Sequence, residues 1–514
     1  MIWLIAKKDF LLNLLSVRFV IGFLLCLFVI PFTLIVSTDN YLNRVRIFKI
    51  EQERADNQLK DTRVYSGVRP TIVESPKPLS VFSDGISENI GNKVKINFGE
   101  YPLFPEGHVS TRDNPFLNAF FSIDFSKVIA ILISLLALVF AYDAITRERE
   151  NGTMKLIFTG KIGRITFLSG KLVGLIITLL PILLFCYLLA LLILFVHPQI
   201  SMNSADWTGI GILFFSSIIY MFVFILLGVF LSCVVARSST AIVLSLLCWV
   251  WFLFLMPNIA TYLAQSFVKL PLYENVQAEM NEYYEKYFEE FYKKSTEITD
   301  KFSRGGLSYY NCNMGSDGYI EMSGGYKETA EYQHQMNRWS EPVRIDYADK
   351  MWVIQKNYLD RLIQQQKVQQ QLSWLSPSEI FGQTADILCG TDIYGFLNHM
   401  ENVRNYRQQV ILYFVNNKLF DSYRYFTIQP KDEFVGRQEW ADIEAGRLQS
   451  NLSYGWHAKT KPVLDLDGFP VYNPPVDAVE KRIQGALGRI AGLATIGLIL
   501  LIGSIVLFMR YELK

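Results

Sequence analysis

The sequence predicts a mainly α, polytopic membrane protein with six transmembrane helices, an interfacial N-terminal helix, a short cytoplasmic helix and two external domains, the larger mostly helical. Three observations carry this. A mean hydropathy of +0.21 coexists with 19% charged residues in a chain of 514, so apolar spans alternate with solvated segments. Six stretches approach the roughly 20 apolar residues that a helix rising about 1.5 Å per residue needs to cross a core about 30 Å thick. Basic residues gather on one side of the short connections, as they do at a cytoplasmic face.

In order along the chain, residues 1–17 alternate apolar runs with Lys7, Lys8, Asp9 and Asn13, which suits a helix lying in the interface. The other reading is the cytoplasmic end of the first span. That span, 18–37, lacks a small-x-small cleavage site and reads as a retained anchor. The first external domain, 38–126, begins as a charged helical continuation from Asn43 to Arg63 and then becomes Pro- and Gly-punctuated. The second span, 127–142, is the shortest. A cytoplasmic loop, 143–171, leads into the third span, 172–196, which contains Pro181. The fourth and fifth spans, 208–236 and 238–266, are separated only by Arg237. In the second external domain, 267–488, three stretches (Tyr273 to Phe302, Ala330 to Gln371, Phe396 to Tyr425) have amphipathic helical character, with a Gly-rich loop from Ser303 to Tyr326. The sixth span is 489–509.

With the N-terminus inside, the cytoplasmic segments hold twelve basic residues against five acidic ones. The overall +1 therefore cancels a basic inside against an acidic remainder, and it argues against nucleic-acid binding, which needs a basic excess. Six cysteines exclude a disulfide-dense scaffold. Cys312 and Cys389 are the external pair and could form one bridge in an oxidising compartment; two unpaired buried thiols are the other reading.

No catalytic signature is present. Gly163 to Gly170-Lys171 has the wrong spacing for a phosphate-binding loop, and Leu172 stands where a magnesium-binding hydroxyl belongs. The five histidines form no ligand set, His334 and His399 reading as surface side chains of helices, and Asp465-Leu-Asp467-Gly468 reads as an Asx turn rather than a calcium loop. No metal site or cofactor is expected on this chain. The cytoplasmic loop stands out instead. Glu148 and Glu150 sit in a charge cluster ending a span, Gly152 permits a sharp turn, and Thr153 can cap a short helix carrying Met154, Leu156, Ile157 and Phe158 before Arg164. An apolar face there needs cover, either the membrane interface or a partner protein.

The element Glu150-Asn-Gly152-Thr153-Met154, then Arg164, then Gly170-Lys171, resembles the hallmark of the type-2 ATP-binding-cassette exporter permeases. The Ala-Lys-Lys-Asp-Phe run at the N-terminus, Ser232 to Arg237-Ser-Ser, and Pro257 fit the same family. Pro76-Lys-Pro78 to Gly85, Asn114-Pro115-Phe to Asp124, and Leu375-Ser-Pro377 with Gly390-Thr391-Asp to Phe396 resemble its large-ectodomain members, related to the multicopper-enzyme-maturation exporters. The resemblance implies a non-catalytic subunit that dimerises with a second copy or paralogue among membrane lipids. It would bind cytoplasmic ATPase subunits that carry the ATP and magnesium, with the helix from about Thr153 to Gly163 as the coupling helix and Glu148, Glu150, Gly152, Thr153, Met154, Leu156, Ile157, Phe158 and Arg164 as coupling residues. Gly170-x-x-x-Gly174 and Gly488-x-x-x-Gly492 could allow close helix contact, including at a dimer face. An ATPase-coupled scaffold that moves its ectodomain without translocation is the alternative. Spans without ionisable residues suit a lipid-like substrate better than an ion.

Overall fold

The computed structural model describes residues 1–86, 91–106, 124–159, 162–302, 312–314, 320–322, 326–448, 464–474 and 479–510. Among them, six helices are long and apolar enough to cross a membrane, so the mainly α, six-span class read from the sequence holds. Helix α1 (Ile2–Leu14) is separated from α2 (Val17–Lys60) by Ser16, whose hydroxyl caps α2 by accepting the Phe19 amide at 3.3 Å. The 44 residues of α2 extend about 66 Å, so the charged run after Asp39 continues the spanning helix. Strands β1 (Thr71–Val73) and β2 (Lys93–Lys95) pair antiparallel, Ile72 opposite Val94.

Asp124 caps α3 (Phe125–Ala141) by accepting the Lys127 amide at 2.8 Å. Two short helices, α4 (Thr146–Glu150) and α5 (Thr153–Thr159), precede α6 (Arg164–Val196). Helix α7 (Ser204–Val234) starts from a reciprocal Asn203/Asp206 capping box. Helix α8 (Ser238–Val250) passes through a π-helical turn, Trp251–Leu255, into α9 (Met256–Phe267). Outside the bundle, α10 (Tyr273–Phe302) lies antiparallel to α11 (Lys327–Leu372), with Tyr273 against Tyr358 and Tyr287 against Tyr347. Between them run β3 (Cys312–Met314) and β4 (Ile320–Met322). Helices α12 (Pro377–Cys389), α13 (Ile393–Asn416), α14 (Arg437–Glu444) and finally α15 (Val479–Arg510), the last span, complete the chain.

Several features differ from the sequence-based expectations. The two segments expected to be external share one core, in which Val68, Val94 and Phe98 from the first pack with Val276, Leu362, Met400 and Phe414 from the second. Arg407, fully enclosed, ties them further by donating to the Asn97 carbonyl at 2.9 Å and lying 4.0 Å over the Tyr101 ring. Helix α12, though inside the range read as external, packs within the bundle. Its Phe381 ring stacks on Tyr220 at 4.7 Å, and Tyr220 lies about 24 Å along α7 from Ser204. At the start of α12, the Ser376 and Ser378 hydroxyls each donate at 2.7 Å to the Phe252 carbonyl in the π turn, the kind of local repair that makes non-helical backbone tolerable at membrane depth. Cys389, at the end of α12, is a buried free thiol, so the bridge to Cys312 is absent; the Cys312 side chain lies outside the described residues. His399 is buried, not on a surface. Asp465 does form the Asx turn, accepting the Asp467 amide at 3.1 Å. Residues 114–123 of the ectodomain resemblance lie outside the described residues.

Glu379 and Asp386 lie on one face of α12, and the Ser83 hydroxyl donates to Asp386 at 2.7 Å.

Candidate functional site

At the end of the bundle where α1, α4 and α5 lie, named here the basal end, the sequence-singled residues fall into two groups. The first is polar and points inward. The Lys171 ammonium, 8% exposed as a residue, lies 3.1 Å from Asp9 Oδ1 of α1 and 3.0 Å from Glu148 Oε1 of α4. Glu148 accepts the Thr153 hydroxyl through its other oxygen. An ammonium this deep requires partners, and the two carboxylates supply them. Burial pushes the Asp9 carboxyl above its ordinary range, opposed by the Lys171 charge. One cation thus joins α1, α4 and α6.

Glu150 reaches the turn between α7 and α8 instead. Its two oxygens accept the Ser238 amide at 2.9 Å and the Ser238 hydroxyl at 2.6 Å, capping α8 where Arg237 offers no side-chain cap. The Ser232 hydroxyl accepts the Ile145 and Thr146 amides, both at 3.1 Å, so it satisfies two free donors at the start of α4. Arg149 donates to the Val235 carbonyl at 2.8 Å. Arg18 at the foot of α2 pairs with Asp143 at 3.0 Å and donates to the Tyr142 hydroxyl at 2.7 Å. Helix α4 is therefore tied to α6 through Lys171 and to the end of α7 and the start of α8 through Ser232, Val235 and Ser238.

The second group is apolar. Gly152 adopts a left-handed conformation, φ +69°, between α4 and α5, and sends α5 off in a new direction. Met154 is buried beneath α5, while Phe158 packs on Phe167 and Phe508, with ring centroids 5.7 and 6.1 Å away. Ile157 is half-buried, and Leu156 projects with 73% exposure. Arg164 opens α6 rather than closing the short helix, and donates to the Met509 carbonyl. Helix α5 itself ends at Thr159; residues 160–161 lie outside the described residues.

Sequence reasoning missed Asp9, Lys171, Ser232, Ser238 and the Phe167/Phe508 pair as members of this site. The missed signal was Lys171 itself, a cation just inside an apolar run that demands a counter-charge. Gly170-x-x-x-Gly174 also serves a different purpose from a dimer face: a Cβ on Gly170 would meet Ile5 at 2.8 Å and one on Gly174 would meet Asp9 at 3.0 Å, so this stripe seats α1 on α6. Among the described residues no cluster could hold a metal ion. The arrangement presents a small apolar projection, Leu156, on a hydrogen-bonded mount.

Comparison with known proteins fits this architecture. The chain is 37% identical over 134 residues to the "Probable ABC transporter permease protein NosY" of Stutzerimonas stutzeri, an alignment covering 26% of this chain and 47% of that protein. The chain thus spans about half the length of the relative it matches. A family model described as ABC-2 family transporter protein matches residues 3–392, from α1 to the corner between α12 and α13. This chain belongs to the ABC-2 transporter family and is a multi-pass membrane subunit of that kind.

Proposed function

We propose that the chain is the permease of an ATP-binding-cassette exporter, with its termini and α4–α5 in the cytoplasm and its shared ectodomain outside. A separate cytoplasmic ATPase subunit, holding ATP and magnesium, seats Leu156 and its neighbours on α5 in an apolar groove. One observation carries the reading: the exposed Leu156 stands on a helix whose mount, α4, is bonded to α6, to α1 through the shared Lys171, and to the α7–α8 turn. A push on α5 is passed to those helices rather than absorbed, as a lever between two states requires. A second permease copy or a paralogue completes the membrane unit.

Leu156→Asp tests the seat without touching the fold, since the side chain is exposed. Placing an unpaired carboxylate in an apolar groove should cost 2 kcal/mol or more, about 30-fold in affinity for the co-expressed ATPase subunit. Unchanged co-purification would refute the seat. The scaffold reading is favoured by one feature, the unbroken passage of α2 from the basal end into the ectodomain. Substrate-free ATP turnover that reshapes the ectodomain, with no solute moved in vesicles, would select it.

A further inference from the structure

The two ectodomain motifs converge on a cavity that the coupling reading leaves unexplained. A space of about 210 Å³ lies where α2, residues 74–86 and 91–92, and the α12–α13 corner meet. The segments are stitched together: the Thr391 carbonyl accepts the Ile86 amide at 3.0 Å and the Thr391 hydroxyl donates to the Ser83 carbonyl at 2.9 Å. Gly85, at φ +51°, lies so close that a Cβ would meet the Thr391 carbonyl oxygen at 2.3 Å. The wall of the cavity is therefore built, not a gap between loosely packed loops.

Its lining carries charge of both signs. Arg44 and Lys77 supply two cations, and Glu74 supplies a carboxylate lying 3.7 Å from the buried His399 Nε2, whose ring is approached from its other nitrogen by the Tyr472 hydroxyl at 3.3 Å. Arg44 spends one terminal nitrogen on Ser80 and Asp84, at 2.9 and 2.7 Å, while its Nε has no hydrogen-bond partner among the described residues. Asp392, also in the wall, is committed to capping α13. Ile47, Ile86 and Phe396 make the remainder apolar. The level in the fold matters too. Leu79, in the turn that carries Ser80, sits where a Cβ on Gly209 would meet it at 3.0 Å, about one and a half turns inside α7. The cavity thus lies at the distal ends of the spans, where headgroups lie; the exposed apolar residues Phe32 and Ile35 of α2 lie about 14 Å and more from Arg44 back along the same helix.

We propose that this cavity binds an aminoalkyl phosphate, the headgroup of a zwitterionic phospholipid in the distal leaflet. Phosphate oxygens meet Arg44 and Lys77, the ammonium meets Glu74, and the glycerol end leaves from Arg44 down α2 towards Ile35. Charges of both signs in one cavity discriminate against a headgroup lacking the amine, whose binding would leave Glu74 unpaired. The proposal does not depend on the ATPase seat.

The test titrates the full-length protein in detergent with dihexanoyl phosphatidylethanolamine, dihexanoyl phosphatidylglycerol and phosphorylethanolamine, by calorimetry. The ethanolamine lipid should bind about tenfold tighter than the glycerol lipid. Glu74→Gln should abolish that preference, and Lys77→Ala should weaken both lipids, each variant being checked by its unfolding temperature. Equal binding of the two lipids by the unaltered protein overturns the proposal, with no variant needed. Phosphorylethanolamine displacing the lipid at equal concentration keeps the chemistry and assigns the site to a soluble ester; failure to displace it assigns the site to lipid.

Discussion

Lys171→Met is expected to release α1 from the bundle and uncouple the site. Among the described residues the Lys171 ammonium is the cation paired with both Asp9 and Glu148, and both carboxylate side chains are at most 13% exposed. Removing it leaves two like charges facing each other out of water, a loss of about 3–5 kcal/mol when one partner of a buried ion pair is deleted. The loss falls directly on the seat of α1, where Ile5 and the Ile2 carbonyl lie over Gly170, and Ala6 and Asp9 over Gly174. Hydrogen exchange of the Ile2–Leu14 amides should rise sharply and co-purification of an ATPase subunit should fall. Combining Asp9→Asn, Glu148→Gln and Lys171→Met should restore most of the protection, because a neutral set of similar volume has no charge to strand. If the single change leaves α1 protected, the triad does not hold the helix.

The second large effect is at Gly152. Its φ of +69° is outside the range of proline, fixed near −65°, and its amide donates to the Arg149 carbonyl at 3.1 Å, a bond proline cannot make. Gly152→Pro therefore cannot form the α4–α5 turn, and α5 must leave at another angle. Gly152→Ala only strains it, by about 1–2 kcal/mol, because among the described residues no atom lies within 4 Å of the added methyl. ATP turnover by the reconstituted complex should drop at least about tenfold for proline and much less for alanine. Both should unfold at nearly the unaltered temperature, since the turn is exposed. Equal turnover for the two would mean that the direction of α5 is irrelevant.

What could be read in advance follows from the range of the interactions involved. Apolar runs announce spans because bilayer thickness acts on one helix at a time, and all six were visible. Their ends were less so: α2 runs on to Lys60 and α6 starts at Arg164 because neither helix has a reason to stop at the membrane edge when its next residues are good helix formers. Helix α12 was hidden by its own chemistry, since Glu379, Asp386 and the neighbouring hydroxyls read as solvent-facing until Tyr220 and Phe252 are placed beside them. The α4–α5 element was legible as a position but not as a mechanism. Glu148 and Glu150 looked like a surface for a partner, whereas their partners are Lys171, 23 residues away, and Ser238, 88 residues away. A linear pattern cannot show such pairings.

The central claim is that α5 is the seat of an ATPase subunit. Its most direct measurement is photo-crosslinking in membranes that co-express that subunit, with the photoreactive residue at Leu156 or, as control, at Val353, which is also exposed but on α11 in the ectodomain. An adduct of permease with ATPase at position 156 and none at 353 is the predicted result. No adduct at 156, or equal adducts at both positions, would contradict it.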